Sequence, residues 1–164
     1  AGNVIGGGDV SEYWIIPDCV RAVKNKEEII IRNPNSIRPY QHVLEAIFAY
    51  LMIIQKQYEN EKFVGCYNVG PNLENSAVTT ENLVKTFCSY WGENSKYKIQ
   101  KENGPYESTY LQLDWSKIKK VFNWKPIRTV NEAIKKIVEL EKLEDSEKEN
   151  CMEKQIMEYY GAQK

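Results

Sequence analysis

Three β-branched residues in a row, Ile29-Ile30-Ile31, run into Arg32-Asn33-Pro34-Asn35-Ser36, and a helical period begins soon afterwards at Leu44. The isoleucines suit a pleated, half-buried strand. The Asn-Pro-Asn-Ser run supplies turn chemistry, because proline presets φ and asparagine and serine side chains satisfy nearby amides. From Leu44 the apolar positions Leu44, Ile47, Phe48, Leu51, Ile54 and Tyr58 fall on one helical face, while Ala46, Ala49, Tyr50 and Ile53 widen it around most of the cylinder. A strand over Glu28 to Arg32, a turn and a core-forming helix are therefore expected. The same succession recurs along the chain, which predicts an α/β fold.

Other segments follow the same logic. Ala1 to Ile5 read as a strand ending at Gly6-Gly7-Gly8, and Ile15 to Val23 as a helix with Pro17 in its first turn. Phe63 to Val69 read as a strand closed by Gly70-Pro71, and Thr79 or Thr80 can cap a helix running to Trp91-Gly92. Tyr97 to Gln100 and Tyr110 to Leu113 are short strand candidates, and Asp114 can cap a helix over Trp115 to Phe122. Thr129-Val130-Asn131-Glu132 is a capping-box pattern, and Ser146-Glu147-Lys148-Glu149 repeats it before a final helix with Met152, Ile156, Tyr159 and Tyr160 on one side. The charged joint from Glu141 to Lys148 reads as a solvated face.

The 22 basic and 23 acidic residues give a net charge of −1, which supplies no long-range attraction for nucleic acid or anionic membrane, so any anion site must be local. Cys19, Cys66, Cys88 and Cys151 are far apart and a single histidine is present, which argues against a Cys/His zinc site and for reduced thiols in a cytoplasmic protein. No basic region followed by an apolar run marks a secretory signal. The apolar stretch from Leu44 to Ile54 is too short to span a bilayer and contains Glu45.

Arg32 and Arg38 flank the Asn33-Pro34-Asn35-Ser36 turn, and two planar guanidinium groups aimed at one concave site would hold a diphosphate by paired, charge-assisted hydrogen bonds. The same spacing also suits two surface residues on a hairpin. His42 titrates near neutrality and invites a catalytic role, but a lone histidine at a strand-to-helix junction equally serves as a hydrogen-bonded structural group. Gly6-Gly7-Gly8 lacks the G-x-G-x-x-G and G-x-x-x-x-G-K-[ST] spacings and reads as a turn where side chains would obstruct. Three Tyr-x-x-x-Lys matches occur, at Tyr58 and Lys62, Tyr97 and Lys101, and Tyr160 and Lys164; position and the abundance of both residues argue against each as a catalytic pair.

Taken together, Ala1 to Asp9, Ile16-Pro17-Asp18-Cys19-Val20-Arg21-Ala22 and Ile31 to Glu45 resemble the C-terminal half of the CDP-glucose 4,6-dehydratases, a family of extended short-chain dehydrogenase/reductases. Tyr67-Asn68-Val69-Gly70-Pro71, Tyr110-Leu111-Gln112-Leu113-Asp114 and Trp124-Lys125-Pro126 extend the resemblance over nearly the whole chain. It implies a Rossmann-like enzyme in which bound NAD takes hydride from sugar C4, water leaves across C5 and C6, and hydride returns to C6. The product would be CDP-4-keto-6-deoxyglucose, used for deoxysugars of cell-surface polysaccharide such as O-antigen. It further implies that residues 1–164 form one partial domain: the last Rossmann strand and loop plus the nucleotide-sugar-binding part. The NAD-binding domain, the Tyr-x-x-x-Lys pair and the elimination acid and base would then precede Ala1, the chain alone would be inactive, and the whole enzyme would be a homo-oligomer.

By the same resemblance the CDP-glucose contacts are Asn3 near the phosphates, Trp14 and Ile15 against the nucleotide, Arg38 on the diphosphate, Arg32 and Asn33 beside base and ribose, and Asn68 and Tyr110 as further walls. No catalytic, NAD-binding or metal-ligating residue is expected within the chain. Val10 replaces an expected tryptophan, and Tyr106 stands before Glu107 where the family has histidine. Two other readings stay open: a different nucleotide-sugar dehydratase or epimerase, and a non-catalytic interaction module presenting Trp91, Trp115, Trp124 and Tyr159-Tyr160.

Overall fold

The computed structural model describes residues 1–72, 77–93, 95–100 and 108–163. Lys101, Tyr106, Glu107 and Lys164, which figured in the sequence reading, lie outside them. Among the described residues five strands, β1 (Asn3–Ile5), β2 (Ile29–Ile31), β3 (Ile37–His42), β4 (Ala77–Thr79) and β5 (Tyr97–Ile99), are interspersed with six α-helices: α1 (Ile15–Lys24), α2 (Val43–Glu59), α3 (Thr80–Trp91), α4 (Ser116–Phe122), α5 (Val130–Glu141) and α6 (Asp145–Ala162). The expected α/β class is observed.

Strand β3 is central in a three-stranded sheet of order β1-β3-β4. It runs parallel to β1, with Asn3 opposite Tyr40 and Ile5 opposite His42, and antiparallel to β4, with Arg38 opposite Val78. Strands β2 and β5 pair in parallel as a separate two-stranded sheet. The β1–β3 approach is close: a Cβ on Gly2 would stand 2.4 Å from the Pro39 carbonyl oxygen, so only glycine lets the chain enter β1 on this line.

Two apolar clusters form the interior. The larger joins Ile5, Ile16, Val20, Ile29, Ile31, Leu83, Phe87, Ile134 and Ile137 from both sheets and from α1, α3 and α5; the smaller joins Ala49, Val69, Ile118 and Trp124. Trp91 stacks on Phe87 and Trp115 meets Trp124 edge to face, so these tryptophans pack within the fold, Trp124 buried and the other two partly so.

Several elements differ from expectation. Phe63 to Val69 are not a strand: a 3-10 turn (Glu61–Phe63) is followed by irregular chain whose carbonyls serve side chains, as where Gln57 Nε2 donates to Gly65 O and Lys117 Nζ to Cys66 O. Tyr110 to Leu113 make a single parallel bridge, Ile37 to Tyr110. Helix α6 starts at Asp145 without a side-chain cap, in place of the capping box expected at Ser146, and only Tyr159 of its predicted stripe is buried, beside Gln155. Helix α2 buries Leu44, Glu45, Ala46 and Ala49 but exposes Ile47, Tyr50, Leu51, Ile54 and Tyr58, so it borders the core and does not run through its centre. Helical period reports which residues share a face, not whether this chain covers that face. The capping predictions hold at Thr79, which accepts from Asn82 N, and at Thr129 and Glu132, which form the reciprocal box, whereas α4 has Trp115 and not Asp114 at its N-cap, with Asp114 Oδ1 accepting from Ser116 N. No helix among the described residues is long and apolar enough to cross a membrane.

Candidate functional site

Strand β1 lies along the C-terminal half of β3, with Asn3 opposite Tyr40, and two irregular segments are laced onto the pair. Gly2 N donates to Val69 O (3.0 Å), and Gln41 Nε2 donates to the same carbonyl (3.2 Å). That seats the 67–71 segment, and Asn68 with it, beside Asn3. The 108–114 segment is held at both of its ends. Ile37 N donates to Thr109 O and Leu111 N to Ile37 O, while Asn68 Nδ2 donates to Asp114 O (3.0 Å). Arg38 completes the lacing by donating through Nη2 to Ser108 O (2.7 Å) and through Nη1 to Ile37 O (3.0 Å). Asn3, Arg38, Asn68 and Tyr110 thus occur on one connected belt.

The other candidates stand elsewhere. Trp14 is half exposed at the N-cap of α1, and Ile15 packs on the larger apolar cluster. Arg32 and Asn33 follow β2, whose sheet is separate from that of β3, and the turn they open is fastened to α3: Ser36 N donates to Asn33 O, Glu81 N to Pro34 O and Thr80 N to Ser36 O. The two arginines that flank the turn thus sit in different surroundings. Arg32 is exposed, whereas Arg38 is only 8% exposed and braces the 108–111 segment.

His42 is structural. It caps α2 through Nδ1, which accepts from Leu44 N (3.2 Å), and Arg128 Nη1 lies 3.2 Å from the same nitrogen. Burial, then the Arg128 and Lys136 charges, hold its pKa down to about 3 from 6.5. The unfolded imidazole binds a proton across that interval and the folded one does not. Stability is therefore complete above about 6.5 and declines as pH falls, by up to about 1.4 kcal/mol per unit from this group. Burial raises Glu45 above 4.5, which acts in the opposite sense: its contribution is present at low pH and is lost as pH rises through the raised value. Guanidinium unfolding of His42→Asn between pH 4 and 7 is expected to show a shallower decline toward acid than the native chain, because asparagine still caps α2 without titrating. An unchanged slope would exclude His42 as the acid-sensitive group.

Sequence reading missed the residues that hold this framework. Glu45 is 1% exposed; its Oε1 accepts from Ile127 N (3.0 Å) and Arg128 N (2.7 Å), and its Oε2 accepts from Tyr159 OH (2.6 Å). Glu141, assigned by sequence to a solvated joint, is buried and accepts from Gly8 N and Lys24 Nζ. No local pattern marks either, since the partners of Glu45 are more than 80 residues away.

The chain's one glycine-rich loop does not fit a dinucleotide. A Cβ at Gly6 would stand 2.9 Å from Val43 Cγ1 and one at Gly7 2.4 Å from Leu140 Cδ2, so the loop faces protein. The Gly8 amide is already given to a carboxylate, which repels phosphate. Among the described residues no group of three His, Cys, Asp or Glu side chains could hold a metal ion.

The chain is 39% identical over 165 residues to a CDP-glucose 4,6-dehydratase of Salmonella typhimurium, an alignment covering 99% of this chain and 46% of that protein. The chain is homologous to CDP-glucose 4,6-dehydratase. It spans about half the length of this dehydratase relative. No protein-family model matches it. Among solved structures, a UDP-galactose 4-epimerase superposes with TM-score 0.65 at 23% identity, covering 84% of this chain and 42% of that one. A dTDP-glucose 4,6-dehydratase from Bacillus anthracis in complex with NAD gives 0.63 at 16%, covering 84% and 41%. A UDP-glucuronic acid 4-epimerase from Bacillus cereus in complex with UDP-glucuronic acid and NAD gives 0.68 at 12%, covering 84% and 43%. The chain thus shares its fold with part of these epimerase and dehydratase structures.

Proposed function

We propose that the chain is the nucleotide-sugar-binding part of a CDP-glucose 4,6-dehydratase, an enzyme that removes water across C5 and C6 of the sugar to leave a 4-keto-6-deoxy product. The observation that carries this reading is the belt of Asn3, Arg38, Asn68 and Tyr110 in a chain 39% identical to such a dehydratase. Arg38 supplies charge to the diphosphate, Asn3 and Asn68 supply amides, and Tyr110, 52% exposed, offers a ring face and a hydroxyl. Trp14 and Ile15, and Arg32 with Asn33, form the nucleotide end.

NAD and the elimination acid and base belong to the remaining length of such an enzyme, because the glycine-rich loop here does not cradle a dinucleotide. Strand β1 is the edge of a parallel pair, and α2 carries an exposed apolar stripe over Ile47, Leu51 and Ile54. A dinucleotide-binding half adding a parallel strand beside β1 would explain both. Residues 1–164 are then one partial domain, comprising a last Rossmann strand and loop plus the substrate-binding region.

Titration calorimetry with CDP-, UDP-, GDP- and dTDP-glucose tests the assignment in the chain joined to that half. CDP-glucose is expected to bind with at least tenfold preference. Preference for another nucleotide reassigns the substrate, and no heat from any of the four rejects a nucleotide-sugar site.

A further inference from the structure

The loop between β1 and α1 connects Asn3 to Trp14 and Ile15, and it is pinned at two places. Its second half is held by Arg21, whose Nη1 donates to Val10 O (3.2 Å) and Ser11 O (3.1 Å) while Nη2 pairs with Asp18. That pin is 41% exposed at the arginine and open to water. Its first half is held from inside. Glu141 Oε1 accepts from Gly8 N (2.7 Å) and Oε2 from Lys24 Nζ (2.6 Å), with the glutamate side chain 7% exposed. Gly8 sits at φ 77°, the left-handed region that lets its amide turn inward, and Gly7 is packed beneath Leu140, the residue before Glu141.

One carboxylate therefore grips the loop and the last turn of α1 together, from the end of α5. Burial alone would push the Glu141 carboxyl upward, but the Lys24 ammonium and the Gly8 amide more than offset it and leave the group ionised at neutral pH. A loop held in its bound conformation loses less freedom when ligand arrives, and the difference is read as affinity.

We infer that Glu141 is a positioning residue: its carboxylate fixes the β1–α1 loop so that Asn3, Trp14 and Ile15 keep their places against the nucleotide sugar. The inference rests on the proposed substrate-binding role. Nothing suggests that Glu141 itself touches substrate, since both of its oxygens are engaged within the protein.

Steady-state kinetics of the full-length enzyme on CDP-glucose provide the test. Glu141→Ala, which removes both contacts, raises KM about tenfold with kcat within about twofold of native. Glu141→Gln retains an acceptor for Gly8 N and stays within about threefold of the native KM. Glu141→Asp preserves charge but withdraws the carboxylate from the loop, and it raises KM severalfold even if the alanine variant fails to fold. A role confined to stability would lower yield and melting temperature and leave KM untouched. Native KM in Glu141→Asp, or Glu141→Gln as impaired as Glu141→Ala, overturns the inference while the substrate assignment stands. No turnover of CDP-glucose by the native enzyme overturns both.

Discussion

Arg38→Ala is expected to weaken binding of the proposed substrate, CDP-glucose, by roughly 100-fold or more in the enzyme that carries this chain. Charge-assisted hydrogen bonds to a diphosphate contribute about 1.5–3 kcal/mol each, and two are lost together. The upper part of that range is not expected, because Nη1 and Nη2 already donate to the carbonyls of Ile37 and Ser108, so part of their hydrogen bonding is exchanged rather than gained on binding. Arg38 also donates to Ser108 O, so alanine loosens the segment bearing Tyr110 as well as removing charge. Arg38→Lys separates the two roles. A lysine supplies the charge without the planar pair of donors, and its affinity should fall between native and alanine. Calorimetric titration of all three proteins checks the series, with thermal unfolding recorded alongside. Native affinity in Arg38→Ala would remove the diphosphate from β3 and leave Arg38 as a brace alone.

The largest effect on stability is expected at Glu45. Truncation to alanine leaves the amides of Ile127 and Arg128 and the Tyr159 hydroxyl without their acceptor in a buried site. An unmet buried polar group costs about 1–3 kcal/mol, so the variant should lose about 4 kcal/mol or more, enough to unfold many domains at physiological temperature. Glu45→Gln keeps a carbonyl oxygen for the two amides and should lose about half as much. Tyr159→Phe removes one donor and should lose about 1–2 kcal/mol. Urea unfolding of the single variants and of Glu45→Gln with Tyr159→Phe forms a cycle, and a coupling energy near zero would show that the Glu45–Tyr159 bond adds nothing to the hold on α6.

What the sequence made legible follows the range of the interaction. Caps at Thr79 and Thr129 and the strands around Ile29 and Tyr97 were readable because their causes lie within a few residues. Strand β3 was not. It contains Pro39 and follows the Asn33 turn, and it exists because β1 and β4 pair with it from distant parts of the chain. The exposed side of α2 was misread for a related reason, as an apolar stripe carries no mark of what covers it. For the site, Arg38 was marked by the turn it flanks, the other residues on the belt could be named only through ordered resemblance, and their mutual placement depends on carbonyls of Val69, Ser108 and Asp114 that no side-chain pattern reveals.

The Glu45 to Tyr159 hydrogen bond spans 114 residues of sequence. During synthesis the carboxylate leaves the ribosome long before its tyrosine exists, and at about 5–20 residues per second the wait is roughly 6–23 s. Through that interval α2 cannot bury its first turn without leaving Glu45 Oε2 unsatisfied, so burial of that turn is expected to await α6. Closure of the fold around α2 is thereby expected to follow the arrival of α6, the last helix to be made.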